Sequence, residues 1–276
     1  MILVTGATGT VGRLLVDLLL AQGAEVRAVT RQPDVAALPS GAEVVAGNLS
    51  SALKGVTAVF LNPRVIGEHA AELLALAQEQ GVRRVVALSA VNVDDPLDEQ
   101  PSRHNGDRNK EVEAAAVASG LEWTSLRAAS FASNTLRAWG PQLRAGDVVR
   151  YPCADFREAL VDERDLAEVA VRALLADELL GRKVELTGPE AVSHAEAVAV
   201  LGSVLDRPLR FQEVPAEAAR QGMIARGFAE PFVAALMARY GRQVPQLPSG
   251  EVERILGRPA RSYAQWAADH AGAFRG

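Results

Sequence analysis

Cysteine and long apolar runs are scarce in this chain. The single cysteine, Cys153, excludes an internal disulfide and indicates a reducing compartment. No apolar run reaches the roughly 18 residues that a membrane span needs. No signal peptide pattern precedes the first strand, because Met1 leads directly into it. We therefore expect a cytoplasmic protein with no membrane partner.

A basic surface and a metal-ligand pattern are also missing. The net charge of -5 and the pI near 5.5 argue against a nucleic-acid partner, which would require a basic face. The four histidines lack metal-ligand spacing, so no metal is expected. What is present is ordinary: 49% hydrophobic and 23% charged residues, the composition of a globular protein with a sizeable core.

The first half of the chain alternates between strand and helix patterns. Short aliphatic or β-branched runs occupy 2–5, 25–30, 42–47, 57–62, 83–89 and 121–127. Amphipathic patterns at 11–22, 67–80 and about 105–119 lie between them, and three of the helix ends carry glycine. This alternation predicts an α/β fold with a Rossmann-type, doubly wound parallel sheet.

The pattern changes after about residue 130. A short strand or hairpin is expected at 144–151, a helix at 162–176 and further strands at 182–188 and 207–215. Helices are expected at 193–205, 215–223, 228–240, 249–256 and 262–273. We therefore predict a Rossmann core over 1–130, joined by returning elements at about 160–188. A smaller, mixed and mostly helical lobe over 131–276 should bind a small-molecule substrate.

The stretch ILVTGATGTVGR places three glycines between the first strand and the first helix. A P-loop is excluded because Arg13 and Leu14 follow Gly12 where lysine and serine or threonine are required. Gly6 permits a tight turn, Gly9 allows a pyrophosphate close to the backbone, and Gly12 brings the helix near the sheet. The predicted pyrophosphate contacts are with the loop and the helix start, namely Gly6, Thr8, Gly9, Thr10, Val11 and Gly12.

This loop, TGATGTVG, resembles that of the atypical short-chain dehydrogenase/reductase superfamily, in its NmrA-like and quinone-oxidoreductase-like branch. The segments LSAVNV (88–93), VEAAAVASGLEWTSLRAASFASNTL (112–136) and LVDERDLAEVAVRALL (160–175) resemble later landmarks of that branch in the same order. The resemblance implies an NAD(P)-binding oxidoreductase. Dimers are common among similar proteins, so a homodimer is one expectation for its assembly.

The end of the second strand predicts NADP(H) in preference to NAD(H). The sequence VRAVTRQP has no acid there to bind a ribose 2′-hydroxyl, and Arg31 can pair with a 2′-phosphate. Thr30 and Arg31 are the predicted contacts. Asn48 and Leu49 stand where relatives often carry an acid and leucine near the adenine, and Asn62 and Pro63 should line the path to the nicotinamide.

The Tyr-x-x-x-Lys pair of the wider superfamily is absent. Asn105 and Asn109 fall at its two positions. His104 is a candidate proton donor, Lys110 a candidate ribose contact, and Ser89 lies in the superfamily's catalytic serine region. Each also has a plain structural interpretation: a residue before a helix, a solvated helix residue, and a hydroxyl bonded to backbone.

Phe131, Asn134 and Trp139 follow the sixth strand and are predicted to line the substrate cleft, although aromatic residues at helical spacing also suit a core. The leading hypothesis is an NADPH-dependent reductase of a small or medium organic carbonyl, enone or quinone. Two alternatives stay open: a non-redox NADP-binding sensor, and a non-redox cyclase, isomerase or dehydratase on the same scaffold.

Overall fold

The computed structural model describes residues 1–47, 49–242 and 244–275, with only the backbone described for Val35. The strands are β1 Ile2–Thr5, β2 Val26–Thr30, β3 Glu43–Ala46, β4 Ala58–Leu61, β5 Arg84–Ala90, β6 Glu122–Ala128, β7 Val148–Tyr151, β8 Arg157–Glu158, β9 Arg182–Leu186, β10 Val192–Ser193 and β11 Arg210–Glu213.

The α-helices have the following bounds: α1 Thr10–Ala21, α2 Leu49–Ala52, α3 Pro63–Ile66, α4 Ala70–Glu79, α5 Pro101–His104, α6 Asn109–Ala118, α7 Asn134–Ala145, α8 Glu163–Leu175, α9 His194–Leu205, α10 Ala216–Ala225, α11 Glu230–Gly241, α12 Glu251–Leu256, α13 Tyr263–Asp269 and α14 Ala271–Phe274. Short 3-10 helices cover Pro33–Val35, Gly67–His69 and Leu97–Glu99.

A seven-stranded sheet in the order β3-β2-β1-β4-β5-β6-β9 confirms the predicted Rossmann-type fold. The pairings from β3 to β6 are all parallel. Strands β1 and β4 are buried at every position, as expected when helices cover both faces. Helix α1 packs against α8, and α4 packs against α6, which forms the two helical layers.

The chain divides into two compact units of about the same length. The first comprises 1–94, 106–128 and 163–185 and contains most of the sheet. The second comprises 95–105, 129–162 and 186–276, where helices predominate and two-stranded pairs β8–β10 and β7–β11 add small sheets. The second unit has its own core, built around Trp139, Tyr151, Trp266 and Phe274. The assignment of substrate binding to this unit stays a prediction.

Candidate functional site

The glycine loop has the backbone geometry that a close-fitting phosphate loop needs. Gly6 has φ +66°, a conformation that favours glycine. A Cβ on Gly12 would lie 2.1 Å from the Gly6 carbonyl oxygen, so only glycine lets α1 start this close to the loop. Gly9 is the N-cap and supplies no side-chain cap to α1. The first-turn N–H groups therefore remain uncapped by any side chain, which suits a pyrophosphate.

Two polar side chains hold the loop against β4. The buried Thr5 hydroxyl donates to the Phe60 carbonyl at 2.8 Å and accepts from the Asn62 N–H at 2.8 Å. The Asn62 side chain caps α3 by accepting from the Arg64 N–H, and it packs so close to Gly6 that a Cβ there would lie 2.8 Å from its amide nitrogen. Asn62 thus contacts the loop itself, and Pro63 beside it is buried.

The segment after β2 carries an exposed arginine that makes no hydrogen bond or ion pair with the described residues. Thr30 is buried and its hydroxyl accepts from the Gln32 N–H at 3.3 Å. Arg31 is exposed and makes no hydrogen bond or ion pair among the described residues. Its guanidinium is therefore available to an external anion. The predicted adenine contact Asn48 lies outside the described residues, whereas Leu49 begins α2.

Arg13 holds the same segment from the first turn of α1. Its guanidinium donates to the Ala37 carbonyl at 2.6 Å and to the Ala36 carbonyl at 3.0 Å. Ala37 has φ +45°, a conformation that a residue with a Cβ adopts only at a cost of about 1 kcal/mol or more. The sequence analysis did not identify Arg13, because its partners lie 23 and 24 residues away and are backbone atoms.

The turn between Asn105 and Asn109, the residues at the positions of the superfamily's Tyr and Lys, is bonded to α3 and its surroundings. Arg64 forms a two-point ion pair with Asp107, at 2.8 and 3.1 Å, and the Arg108 N–H donates to the Pro63 carbonyl. Asn109 is buried at the start of α6, and Lys110 next to it is exposed. His104 ends α5 in the second unit, where its Nε2 lies 3.2 Å from the Asp98 carbonyl.

Ser89 lies beside a buried cluster of charged side chains in the first unit. Glu113 accepts from Ser125 at 2.6 Å and from Arg127 at 2.6 and 3.0 Å, and it pairs with Lys183 at 3.1 Å. Burial by itself would raise the pKa of Glu113, but these partners outweigh it and hold the pKa at about 2. Ser89 is 2% exposed and near this carboxylate, although its Oγ has no partner within hydrogen-bond geometry among the described residues. This position favours a structural role for Ser89.

The predicted substrate residues occupy different environments in the second unit. Asn134 is exposed at the start of α7, and Phe131 is half-buried. Trp139 is 3% exposed and packs edge-on against Tyr151 and His194, with ring centroids 5.8 and 6.2 Å away. The environment of Trp139 favours the core, whereas Asn134 is accessible and its contact with substrate stays a prediction.

None of the three tyrosines is in an environment that would let it replace the proton-donating tyrosine of the Tyr-x-x-x-Lys pair. Tyr151 and Tyr240 are buried and bonded to each other through their hydroxyls at 3.0 Å. Burial raises the pKa of Tyr151 to about 12 and raises the pKa of Tyr240 well above its usual value. Tyr263 is buried as well and donates to Thr135, and burial raises its pKa too. A proton-donating tyrosine needs the opposite shift.

The second unit also holds a buried carboxylate that the sequence analysis missed. Glu158 accepts from Ser130 at 2.6 Å and Arg239 at 2.7 Å, and His194 Nε2 lies 3.9 Å away. Burial would raise the pKa of Glu158, but the charge of Arg239, the nearby His194 and the hydrogen bond from Ser130 lower it to about 2. Its partners are dispersed along the sequence, so no local motif marks them.

Two classes of site are not found in the described part of the chain. It contains no group of three or more His, Cys, Asp or Glu side chains placed to hold a metal ion. Nor does any of its helices combine the length and the apolar character required to cross a membrane.

Comparison with known proteins gives this geometry a family context. The model of a family described as NAD(P)H-binding matches residues 6–177. A (4-alkanoyl-5-oxo-2,5-dihydrofuran-3-yl)methyl phosphate reductase of Streptomyces griseus is 41% identical, over 99% of this chain and 99% of that protein. An NAD(P)H azoreductase of Xenophilus azovorans is 31% identical over the same shares.

Solved structures agree on the fold. The NADPH-dependent quinone oxidoreductase QOR2 of Escherichia coli, complexed with NADPH, superimposes with a TM-score of 0.82 at 22% identity, over 98% of this chain and 99% of that one. The Citrobacter triphenylmethane reductase complexed with NADP(H) gives a TM-score of 0.78 at 19% identity, over 98% and 99%.

Proposed function

We propose that this chain uses NADPH to reduce an alkene conjugated with carbonyl groups. The chain belongs to the NAD(P)H-binding family and is an NAD(P)H-dependent oxidoreductase of the atypical short-chain dehydrogenase/reductase type. The family membership and the reductase activity are the premise. The cofactor preference and the class of acceptor are the proposal.

The preference for NADPH is supported by charge at the end of β2. Arg31 is exposed and makes no hydrogen bond or ion pair among the described residues, and none of the three residues directly after β2 is an acid that would repel a phosphate. The loop, with its uncapped helix start and its tight glycine packing, fits a dinucleotide pyrophosphate. When bound, NADPH supplies the hydride. The chain itself binds and orients the nucleotide, through the glycine loop at the pyrophosphate and Arg31 at the 2′-phosphate of the adenosine.

The acceptor class is argued from the observation that no activated tyrosine exists. All three tyrosines are buried with raised pKa values, and Asn105 and Asn109 occupy the usual Tyr and Lys positions. A simple ketone becomes an alkoxide on reduction and needs a strong proton donor. An alkene conjugated with two carbonyls becomes an enolate spread over both oxygens, which water can protonate. The chain therefore suits acceptors that need little acid catalysis.

The names of the relatives are consistent with this class. The dihydrofuranone in the name of the Streptomyces reductase has a ring double bond conjugated with the ring carbonyl and with the alkanoyl group. The azo bond reduced by the Xenophilus enzyme is likewise an electron-poor acceptor. We propose an acylated dihydrofuranone, or a closely similar enone, as the substrate class here.

The remaining site residues keep the roles predicted for them. Phe131 and Asn134 contact the acceptor, Asn62 and Pro63 adjoin the nicotinamide, and Lys110 contacts the ribose. His104 assists protonation without being required for it. A homodimer stays a proposal for the assembly.

NADPH consumption by a graded set of acceptors tests the proposal. The set contains an acylated dihydrofuranone, the same ring without the acyl group, and a saturated ketone of similar size. We expect kcat/KM to fall in that order, with about 100-fold or more between the first and the last, the factor that a positioned general acid contributes. His104→Ala should change kcat on the acylated ring by less than about threefold, since water suffices there.

Two results would contradict the proposal. Reduction of the saturated ketone as fast as the acylated ring would show that a proton donor is present after all. Binding of NADPH without its consumption by any acceptor would favour the sensor hypothesis. Product analysis must also show that the ring double bond, and not a carbonyl group, has been reduced.

A further inference from the structure

An arginine of the second unit, Arg137, lies over the face of an aromatic ring and has no acidic partner among the described residues. The Arg137 guanidinium carbon lies 4.9 Å from the centroid of the Phe228 ring. Phe228 is in turn stacked on Phe232, with centroids 5.8 Å apart and an interplanar angle of 18°. A guanidinium attracted to the face of an aromatic ring needs no hydrogen bond for that contact, so its N–H groups can still donate to an anion.

The acids of the surrounding helices are already paired elsewhere. Helix α7, which carries Arg137, contains no acid at all. The two acids of α10 and α11, Glu217 and Glu230, both pair with Arg220 at 2.9 Å. Arg137 makes no hydrogen bond or ion pair in the described part of the chain. Its donors are therefore available to an anion from outside.

A second arginine lies on the same turn. Arg226 is the C-cap of α10, two residues before Phe228, and its Nε donates to the Gly222 carbonyl at 3.1 Å. Gly227, with φ +90°, makes the sharp turn between the two helices. The turn therefore combines the positive charge of Arg226 with the ring on which Arg137 rests.

The place of Arg137 on α7 connects this turn with the predicted substrate residues. Asn134 and Arg137 are three residues apart on one helix, so they share its exposed face. If a ligand that contacts Asn134 carries a short anionic substituent, that substituent would thus lie within reach of Arg137.

We propose that Arg137, oriented by Phe228 and assisted by Arg226, binds a phosphate monoester group of the acceptor. The planar guanidinium can donate two parallel hydrogen bonds to the phosphate, and Arg226 adds charge without needing a fixed geometry. The inference rests on the proposed function, because it names a substituent of the same acceptor. It makes the chain selective for phosphorylated acceptors.

The test compares an acylated dihydrofuranone methyl phosphate with its free alcohol. Binding of each compound is measured by calorimetry, which needs no turnover, and kcat/KM is measured separately from NADPH consumption. The wild-type chain should bind the phosphate at least about 10-fold more tightly than the alcohol. Arg137→Ala should weaken phosphate binding by about 10- to 100-fold and leave alcohol binding within about twofold.

Three further variants separate stacking from charge. Arg137→Lys keeps the charge but loses the planar guanidinium, and Phe228→Leu keeps the arginine but removes the ring beneath it. The affinity of both variants for the phosphate compound should therefore lie between those of the wild type and Arg137→Ala. Arg150→Ala is the matched control. It removes an exposed arginine of β7, in the same unit, whose side chain makes no hydrogen bond or ion pair among the described residues, and it should leave both affinities unchanged.

Each alternative outcome has a distinct meaning. Equal wild-type affinity for phosphate and alcohol, or equal loss in Arg137→Ala and Arg150→Ala, would overturn the subsite while leaving the reductase proposal intact. A higher KM for NADPH in Arg137→Ala would assign the arginine to the cofactor's phosphates and also overturn it. Binding of the phosphate that depends on Arg137, with no NADPH consumption, would support the subsite and contradict the proposed function.

Discussion

At the scale of single residues, Arg31 is the proposed determinant of cofactor choice, since NADPH and NADH differ by one phosphate. We predict that Arg31→Ala raises the KM for NADPH by about 10- to 100-fold, because a charge-assisted hydrogen bond contributes about 1.5–3 kcal/mol. The KM for NADH should change by less than about twofold, since NADH has no 2′-phosphate. Steady-state kinetics with both cofactors provides the measurement.

Two comparison variants make this prediction specific. Arg83→Ala removes an exposed arginine just before β5, at the amino-terminal end of a strand, whereas Arg31 follows the carboxyl-terminal end of β2, so it should affect neither cofactor. Arg13→Ala releases the Ala36 and Ala37 carbonyls, so it should raise the KM for NADPH less than Arg31→Ala does, by disordering the segment that presents Arg31. Equal losses with NADPH and NADH in Arg31→Ala would exclude a 2′-phosphate contact.

At the scale of elements, the start of α1 depends on the absence of a single methyl group. We predict that Gly12→Ala abolishes measurable NADPH binding, because its Cβ would lie 2.1 Å from the Gly6 carbonyl oxygen and the loop would have to move. Overpacking of this kind typically costs about 1–3 kcal/mol. Fluorescence titration with NADPH and urea unfolding measure the two effects.

Gly222→Ala is the matched control for this substitution. Gly222 lies inside α10 with open space around it, so alanine should raise the free energy of unfolding by about 0.5–1 kcal/mol and leave NADPH binding unaltered. If Gly12→Ala binds NADPH normally, the close contact between loop and helix is not essential to the site.

At the scale of the whole molecule, Glu113 in the first unit and Glu158 in the second are buried carboxylates that pair with arginine. Glu113 and Glu158 both have pKa values of about 2 in the folded chain, against an ordinary 4.5. Because folding lowers these pKa values, the two groups stabilise the fold above about pH 4.5. That contribution is lost as the pH falls from about 4.5 to about 2. We therefore predict acid unfolding in this range.

Single substitutions should reveal both contributions. Glu113→Gln and Glu158→Gln should each lower the free energy of unfolding at neutral pH by about 3 kcal/mol, because each removes the buried carboxylate that pairs with an arginine. After Glu113→Gln the buried Arg127 keeps only the exposed Asp94 among the described residues, and after Glu158→Gln the half-buried Arg239 loses its carboxylate partner. Each should also make stability depend less steeply on pH below about pH 4.5. Urea unfolding at several pH values measures this, with the exposed Glu72→Gln as the control. An unchanged pH dependence in both variants would contradict the prediction.

The strands were predictable because each is a short run of aliphatic or β-branched residues, and those at the centre of the sheet, such as β1 and β4, are buried at every position. All seven strands of the main sheet match predicted runs to within two residues at each end. Helix α7 was not predicted, since Gly140 and Pro141 interrupt its pattern. It takes up the beginning of the predicted 144–151 strand, which is reduced to Val148–Tyr151. The predicted helix at 67–80 begins only at Ala70, after a 3-10 turn that starts at Gly67 with φ +60°.

The sequence by itself determined the sheet, the glycine loop and the exposed arginine after β2, because periodicity, glycine spacing and charge are local properties of a chain. Only the tertiary structure decided which polar groups form hydrogen bonds or ion pairs with one another. Arg13 holds backbone carbonyls more than 20 residues away, Glu113 takes up the charges of Arg127 and Lys183, and Arg137 is left unpaired on Phe228. Such pairings depend on which elements pack together, and side chains brought together by packing leave no pattern along the sequence.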